Sequence, residues 1–584
     1  MTDSYDRFAG RRVSRRRLLA GAGGMAMGAA ALGACKSSNK ASPGRTPSAG
    51  VTGTPGPRPT QDESQVTKDG VYHGAFGGVL PSLSLFGATA LYPSTSFGWY
   101  EFDHLFYVPR DTQKPEPMLA YQWEQPDPEG LTTIFKMQPS VFHDMPPVNG
   151  RNVLASDVKA SYEAYAADNL YPGREWHHKI MEAIEAPEDL TVIIKQKRPY
   201  AWLFHPGGAG GIDGSCIMAV ETLDPAQFDM KKNVLGSGRW MIVENRGNEY
   251  YHSMRHPNWR IKGEPWLAES TNVYVSQPAQ IVAMFKAGEL DQTYFSNKLE
   301  CDAVEREMGT EKMSIGGWLD ATYHTLQLNL DRVPEFKDER VRKAIRLAVN
   351  RDELIQLVRL QAGDGIPAGP IPAALEAFAL SEDETADYFK HDAEEAKRLL
   401  EVAGFPMDKE LTLVIPTPVP DTSKAAQVLK DQFGAVGLKV KIQDVDGLSV
   451  FVPRALPKGE FDMTTYVQLP FDDPHYPIGF YTKNSAKGDA SDSRGSNNMA
   501  FFDDEITAAV EDAERTLDID VVIEKVKDVE RLIMKKEAPM INLFHPKIYG
   551  ASWNWFKGVD DPWRGAYSLF NGRTWIDTRM RKAD

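Results

Sequence analysis

The alternation of apolar and polar positions marks out both helices and strands along this chain. In residues 392–404, Ala396, Leu399, Leu400 and Ala403 fall at i, i+3, i+4 and i+7. That spacing predicts a helix with Asp392 as its N-cap and Gly404 as its C-terminal stop. Val341, Ala344, Ile345 and Ala348 repeat the pattern, and Asn350 ends that stretch. Leu411-Thr412-Leu413-Val414-Ile415 reads as a strand, followed by a helix from Ser423 to Val436 that Gly437 stops. Leu438, Val440 and Ile442 then alternate with Lys439, Lys441 and Gln443, the period of two expected of a half-buried strand. Strand, helix and strand over about 35 residues predict a βαβ unit with a parallel pair. Helical patterns at 503–516 and 519–536 carry Ile506, Val510 and Ala513, then Val522, Val526, Val529 and Ile533. The body is expected to be a mixed α/β fold starting near Asp69, without an internal repeat.

The first residues carry a different pattern. Residues 1–34 hold six arginines and two aspartates, and Arg11, Arg12, Arg15, Arg16 and Arg17 precede a run from Leu18 to Leu32 of mostly Gly, Ala, Leu and Met. Fifteen residues at helical rise fall short of a bilayer core, so the run reads as the apolar part of a signal peptide rather than a spanning helix. Ser14-Arg15-Arg16-Arg17-Leu18-Leu19 resembles the twin-arginine export signal. Leu32-Gly33-Ala34-Cys35 resembles a bacterial lipobox, which implies cleavage before Cys35 and lipidation of its thiol. From Lys36 to Thr60, 17 of 25 residues are Ser, Pro, Gly or Thr. Such a composition buries too little surface to offset chain entropy, so 35–69 reads as a flexible tether. No later stretch is long and apolar enough to span a membrane, and the expected location is the outer face of the bacterial cytoplasmic membrane.

Composition narrows the function further. A chain of 584 residues exceeds one compact core and predicts two or three domains. The net charge of −15 argues against nucleic acid as a partner, since its binders present basic faces. Cys35, Cys216 and Cys301 are the only cysteines, so the fold rests on apolar burial, and whether Cys216 and Cys301 pair is left open by the sequence.

No catalytic constellation emerges. Ser156-Asp157-Val158-Lys159 fits the S-x-x-K of penicillin-recognising enzymes, but the partner K-T-G and S-D-N motifs are absent. Val158, Tyr162 and Tyr165 make one face of a helix that Ser156 is expected to cap. His177 and His178 are adjacent and diverge by about 100 degrees on a helix, a poor arrangement for sharing a metal. Gly207-Gly208-Ala209-Gly210-Gly211 lacks the frame of a phosphate cradle and reads as a turn. Asp472 and Asp473 are sequence neighbours, whereas glycosidase carboxylates must flank a bond. Neither enzyme activity, cofactor nor metal is expected.

A resemblance covers nearly the whole body. Pro117-Met118-Leu119-Ala120, Trp123, Phe135, Val141-Phe142-His143-Asp144 and Ser156-Asp157-Val158 fall in the order of a signature of family 5 extracellular solute-binding proteins. Gly236-Ser237-Gly238-Arg239-Trp240, Arg255-His256-Pro257-Asn258-Trp259, Ala287-Gly288-Glu289-Leu290-Asp291, Asn329 and Phe336-Lys337-Asp338-Glu339-Arg340-Val341-Arg342-Lys343-Ala344 continue it. Ala396-Lys397-Arg398-Leu399-Leu400 with Ala403-Gly404-Phe405 completes it. These are peptide- and nickel-binding components of ABC importers. The resemblance implies a two-lobe periplasmic-binding-protein clam with an extra subdomain, hinged between the lobes. Lobe I would comprise 70–108, 231–328 and 544–584, the extra subdomain 109–230, and lobe II 329–543. It implies a monomeric, lipid-anchored protein that delivers a small organic solute, a peptide being one candidate, to ABC permease subunits and their ATPases. The alternative is a sensory lipoprotein on the same fold that signals to a membrane partner.

The ligand turn departs from the family. Peptide-binding members carry a run resembling W-G-A-D-Y-x-D-P, whose aspartate pairs with the ligand's α-ammonium group. Here Val467-Gln468-Leu469-Pro470-Phe471-Asp472-Asp473-Pro474 places either Pro470 or Phe471 at that aspartate, depending on register. Tyr466, Phe471, Asp472 and Asp473, with Asn497 and Asn498, are therefore expected to line the cleft. Carboxylates beside aromatic faces favour a cationic or amine-bearing solute.

Overall fold

The computed structural model describes residues 66–76, 82–87, 97–108, 114–168, 176–205, 208–210, 214–295, 297–319, 322–468, 474–482, 498–559 and 572–581. The residues expected to form the export signal, Cys35 and most of the expected tether lie outside them. Among the described residues, no helix is long and apolar enough to cross a membrane.

Strand β1 (Val71–Phe76) pairs in parallel with a strand almost 200 residues away, from Val71 opposite Glu269 to Phe76 opposite Tyr274. Between them an insert builds its own antiparallel sheet from β2 (Ala120–Glu124), β3 (Thr132–Met137), β4 (Met181–Glu188) and β5 (Thr191–Gln196), in the order β2-β3-β5-β4. Helix α1 (Ala155–Ala167) packs on it, with Val158, Tyr162 and Tyr165 buried. The cap of α1 differs from the sequence expectation. The Leu154 N–H donates to the Asp157 carboxylate at 2.9 Å, and Arg151 grips the same carboxylate at 2.8 and 2.7 Å. A carboxylate serves the helix start and a guanidinium together, which the Ser156 hydroxyl cannot.

The chain then forms β6 (Trp240–Asn245), β7 (Tyr250–Arg255) and β8 (Glu269–Tyr274), which join β1 in the order β1-β8-β7-β6. Helix α2 (Pro278–Lys286), β9 (Gln292–Phe295), α3 (Lys298–Met308) and β10 (Met313–Leu319) follow.

The next part is built from β11 (Tyr323–Leu328), α4 (Glu339–Ala348), α5 (Arg351–Arg359), β12 (Gly365–Pro367) and α6 (Ala393–Ala403). After them come β13 (Glu410–Thr417), α7 (Pro420–Ala435), β14 (Lys439–Asp446), β15 (Met463–Gln468), α8 (His475–Gly479), α9 (Asp504–Glu514) and α10 (Ile519–Lys535). Around α6, the Glu395 N–H donates to Asp392 at 3.0 Å and Gly404 adopts a φ of 68°, as the sequence predicts. Asn350 also starts the following helix, accepting the Glu353 N–H at 3.1 Å. The βαβ unit is present, with β13 and β14 parallel from Glu410 opposite Lys439 to Thr417 opposite Asp446. Helix α7 begins at Pro420 rather than Ser423, because proline's fixed φ suits the first helical position.

Strand β16 (Met540–Trp553) joins the parts. Met540 to Phe544 pair with β11, Phe544 to Pro546 with β12, and Lys547 to Trp553 with β10, while Tyr549 to Ser552 pair with β9 on the other side. One strand thus belongs to two sheet regions, with a register shift in its β11 pairing at His324/Thr325. Strand β16 feeds two large apolar cores, Tyr549 to Trp553 one and Met540 to Phe544 the other. One gathers Trp240, Phe285, Phe295, Trp553 and Trp555. The other runs from Phe135 and Trp202 in the insert to Leu326, Leu413, Leu429 and Val526.

Candidate functional site

Strands β13 and β15 are parallel, so their carboxyl ends share one edge of the second sheet. Strand β11 is antiparallel to β15 and brings its first residue, Tyr323, opposite Gln468 at that edge. Strand β16 leaves for the other sheet at the same edge, where Phe544 pairs with His324. In open α/β sheets, ligands bind beyond the carboxyl ends of the strands, so this corner is the candidate binding wall.

Its groups are mostly polar and aromatic, with the Arg359–Asp421 ion pair close enough to His324 to act on it. The Tyr466 hydroxyl accepts hydrogen bonds from Gln327 Nε2 at 2.9 Å and Gln468 Nε2 at 2.6 Å, and its ring meets Phe451 edge-on at 5.3 Å. Burial raises the Tyr466 pKa well above its ordinary value, with Tyr476 and Tyr323 adding to the effect, so the phenol keeps its proton. Tyr323 shares the Tyr466 face of the sheet, and its buried hydroxyl has no hydrogen-bond partner among the described residues. His324 stacks on Phe544 at 4.3 Å, and burial lowers its pKa to about 4, leaving it neutral. His545 donates from Nδ1 to the Thr322 carbonyl at 3.0 Å and accepts the Ala373 N–H on Nε2 at 3.3 Å, which fixes the neutral tautomer. Beyond Pro474, His475 Nε2 lies 3.2 Å from the Tyr200 hydroxyl of the insert.

Of the residues singled out in the sequence, Tyr466 lies at this corner. Asn498 does not lie beside it. Its carbonyl accepts Asn329 Nδ2 at 3.1 Å, and Asn329 follows the far end of β11, roughly 20 Å along an extended strand from Tyr323. Phe471, Asp472, Asp473 and Asn497 lie outside the described residues. The sequence reading missed Tyr200, Tyr323, His475 and Tyr476. The last two could have been found by following the ligand turn past Pro474. Tyr200 and Tyr323 are brought in by long-range packing and carry no local signal.

The signature residues do other work. His143 donates from Nε2 to the Gly238 carbonyl at 3.1 Å and accepts the Gly236 N–H on Nδ1 at 3.3 Å, tying two signature segments together. Burial depresses its pKa to about 3, in keeping with that neutral tautomer. Asp291 accepts the His73 N–H and Trp555 Nε1, both at 2.7 Å. Arg342 donates to the carbonyls of Phe336, Lys337 and Lys536 at 3.0, 2.9 and 2.9 Å. His177 packs against Tyr162 and pairs through Nε2 with the Gly214 carbonyl at 2.8 Å. Cys216 and Cys301 are separate buried thiols.

Residues 114–489 match the family model described as bacterial extracellular solute-binding proteins, family 5 Middle. The di/tripeptide-binding protein 2 of Pseudomonas aeruginosa is 31% identical over 456 residues, covering 74% of this chain and 82% of that protein. A putative ABC transporter peptide-binding protein of Brucella ovis is 23% identical over 344 residues, 55% of this chain, and the match spans 58% of that relative's length. Among solved structures, the periplasmic binding protein AgaA of A. tumefaciens R10, in complex with agropinic acid, superposes with a TM-score of 0.72 at 21% identity. That match covers 87% of this chain and 99% of AgaA. The likeness establishes the two-lobe α/β fold of periplasmic binding proteins.

Proposed function

We propose, from the premise that the chain belongs to the bacterial extracellular solute-binding proteins of family 5, that it captures a small organic solute between its lobes and delivers it to the permease of an ABC importer. The observation that carries the reading is β16, a single strand shared by two sheet regions. Such a crossing lets two lobes rotate about a few backbone torsions and close on a ligand. Lobe I is taken as 70–108, 231–328 and 544–584, the subdomain as 109–230 and lobe II as 329–543, with β11 pairing into the second lobe's sheet. The ligand is a peptide or another amine-bearing compound. Neutral groups at Tyr466, Gln468 and Tyr323 offer hydrogen bonds and aromatic faces, and Asp472 and Asp473, a few residues on in the sequence, supply the charge for its cation. Native mass spectrometry of the mature protein from its own envelope, followed by calorimetric titration with di- and tripeptides, tests this. A bound amine-bearing solute is expected. A carboxylate- or phosphate-only ligand would refute the amine assignment.

Export in folded form and lipid anchoring at Cys35 belong to the same reading. Cys35→Ala is expected to abolish lipid labelling and to accumulate as unprocessed precursor. Continued labelling and cleavage at the same place would remove the lipobox from the account.

A further inference from the structure

The insert touches both lobes, but by different means. Toward the first lobe the joins include backbone bonds: the His143 N–H donates to the Gly236 carbonyl and the Ile217 N–H to the Asp103 carbonyl, each at 2.9 Å. The His143 ring doubles the first of these. Toward the second lobe, no backbone–backbone hydrogen bond crosses among the described residues, and the contact is made by side chains. Arg198, just past β5, donates to Glu514 of α9 at 2.7 Å. The Tyr200 hydroxyl meets His475 Nε2 at 3.2 Å, and His475 Nδ1 lies 3.5 Å from Glu514. Trp202 packs its ring 6.1 Å from Phe378 and 6.2 Å from His475. Tyr200, Trp202, Phe378 and His475 are all buried.

A seam made of side chains can part without breaking any backbone ladder, whereas the joins to the first lobe cannot. If the insert travels with the first lobe, to which backbone bonds tie it, then the seam, including the apolar core that runs from the insert into the second lobe, must part when the lobes separate. We infer that Arg198, Tyr200 and Trp202, facing Phe378, His475 and Glu514, form a latch that holds the lobes closed. This rests on the binding-protein reading above.

The test uses the mature protein without added solute, so that its outcome is independent of what the ligand proves to be. Hydrogen exchange and small-angle scattering compare wild type with the Arg198→Gln/Tyr200→Phe double variant. Tyr200→Phe keeps the ring and removes only the hydroxyl, and Arg198 is about one-third exposed, so the fold is expected to survive. The latch predicts a larger radius of gyration and about tenfold faster exchange in both 198–205 and 475–482. Exchange at 141–153 and 236–240 should stay as in wild type. Unchanged scattering and exchange would overturn the latch. Equal loss of protection at 141–153 would overturn it too, by showing that the seam holds the insert's fold rather than a closed state.

Discussion

Where residues 141–153 meet 236–240, the polar atoms of His143 are committed: each ring nitrogen has a backbone partner, and the tautomer follows from them. At the corner of β11 and β15 the arrangement is looser, with the Tyr323 hydroxyl buried and unpartnered among the described residues and Tyr466 held by amides rather than by backbone. The first region carries signature residues shared with a family whose members differ in ligand; the second carries residues outside that signature. The contrast teaches that the signature encodes the frame. Ligand choice is left to side chains that the frame merely positions.

The comparison breaks most visibly if the frame is attacked. Arg346 grips Glu537 through two bonds of 2.6 Å, and both side chains are nearly fully buried. Removing one partner leaves a buried charge, so Glu537→Ala is expected to cost about 3–5 kcal/mol in a urea titration while any ligand binding by the surviving folded fraction is unchanged. At the wall the balance should reverse. Asp472→Asn and Asp473→Asn should retain wild-type unfolding midpoints and weaken binding of an amine-bearing solute by roughly 2–5 kcal/mol. If both bind within about threefold of wild type, these residues belong to the turn and not to the wall.

A pH series sharpens the frame side. Glu530 accepts the Ile371 and Leu380 N–H groups at 3.1 and 2.8 Å, yet burial pushes its pKa up to about 7. A folded pKa above the unfolded one means that the folded state holds the proton more tightly. Its contribution is full below about pH 4.5 and is lost as pH rises toward 7, on the order of 3 kcal/mol in all. The stability difference between wild type and Glu530→Gln should therefore slope with pH between 4.5 and 7 and flatten above; a flat difference throughout that window would show that Glu530 titrates normally. The smallest effect is expected from Tyr466→Phe, which leaves two buried amides without their shared acceptor. It should lower stability by about 1–2 kcal/mol, and a larger loss in solute affinity than in stability would show that the hydroxyl also touches ligand.

How far the sequence could be read follows from how local each cause is. Helix α6 was legible to its caps, because Asp392 and Gly404 act within one turn of their own residues. The βαβ unit was legible because period and length suffice for it, although Pro420 moved the start of α7. The cap of α1 was misassigned to Ser156, since the winning carboxylate is held by Arg151 and Glu221 binds the same guanidinium from 70 residues away. Tyr466, singled out because it precedes the run resembling the family's ligand turn, lies at the candidate corner. Tyr323 and Tyr200 could not be singled out in this way: their approach depends on the antiparallel register of β11 and on the packing of the insert.

Strand β16 also sets an order in time. It lies at residues 540–553 of 584 and supplies a central ladder partner to β9, β10, β11 and β12. During synthesis the ladders of β9, β10, β11 and β12 therefore wait for the same strand until almost the whole chain has been made, whereas the sheet β1-β8-β7-β6 needs nothing from it. Truncation anywhere before Met540 therefore removes a ladder partner from both sheet regions at once rather than from one.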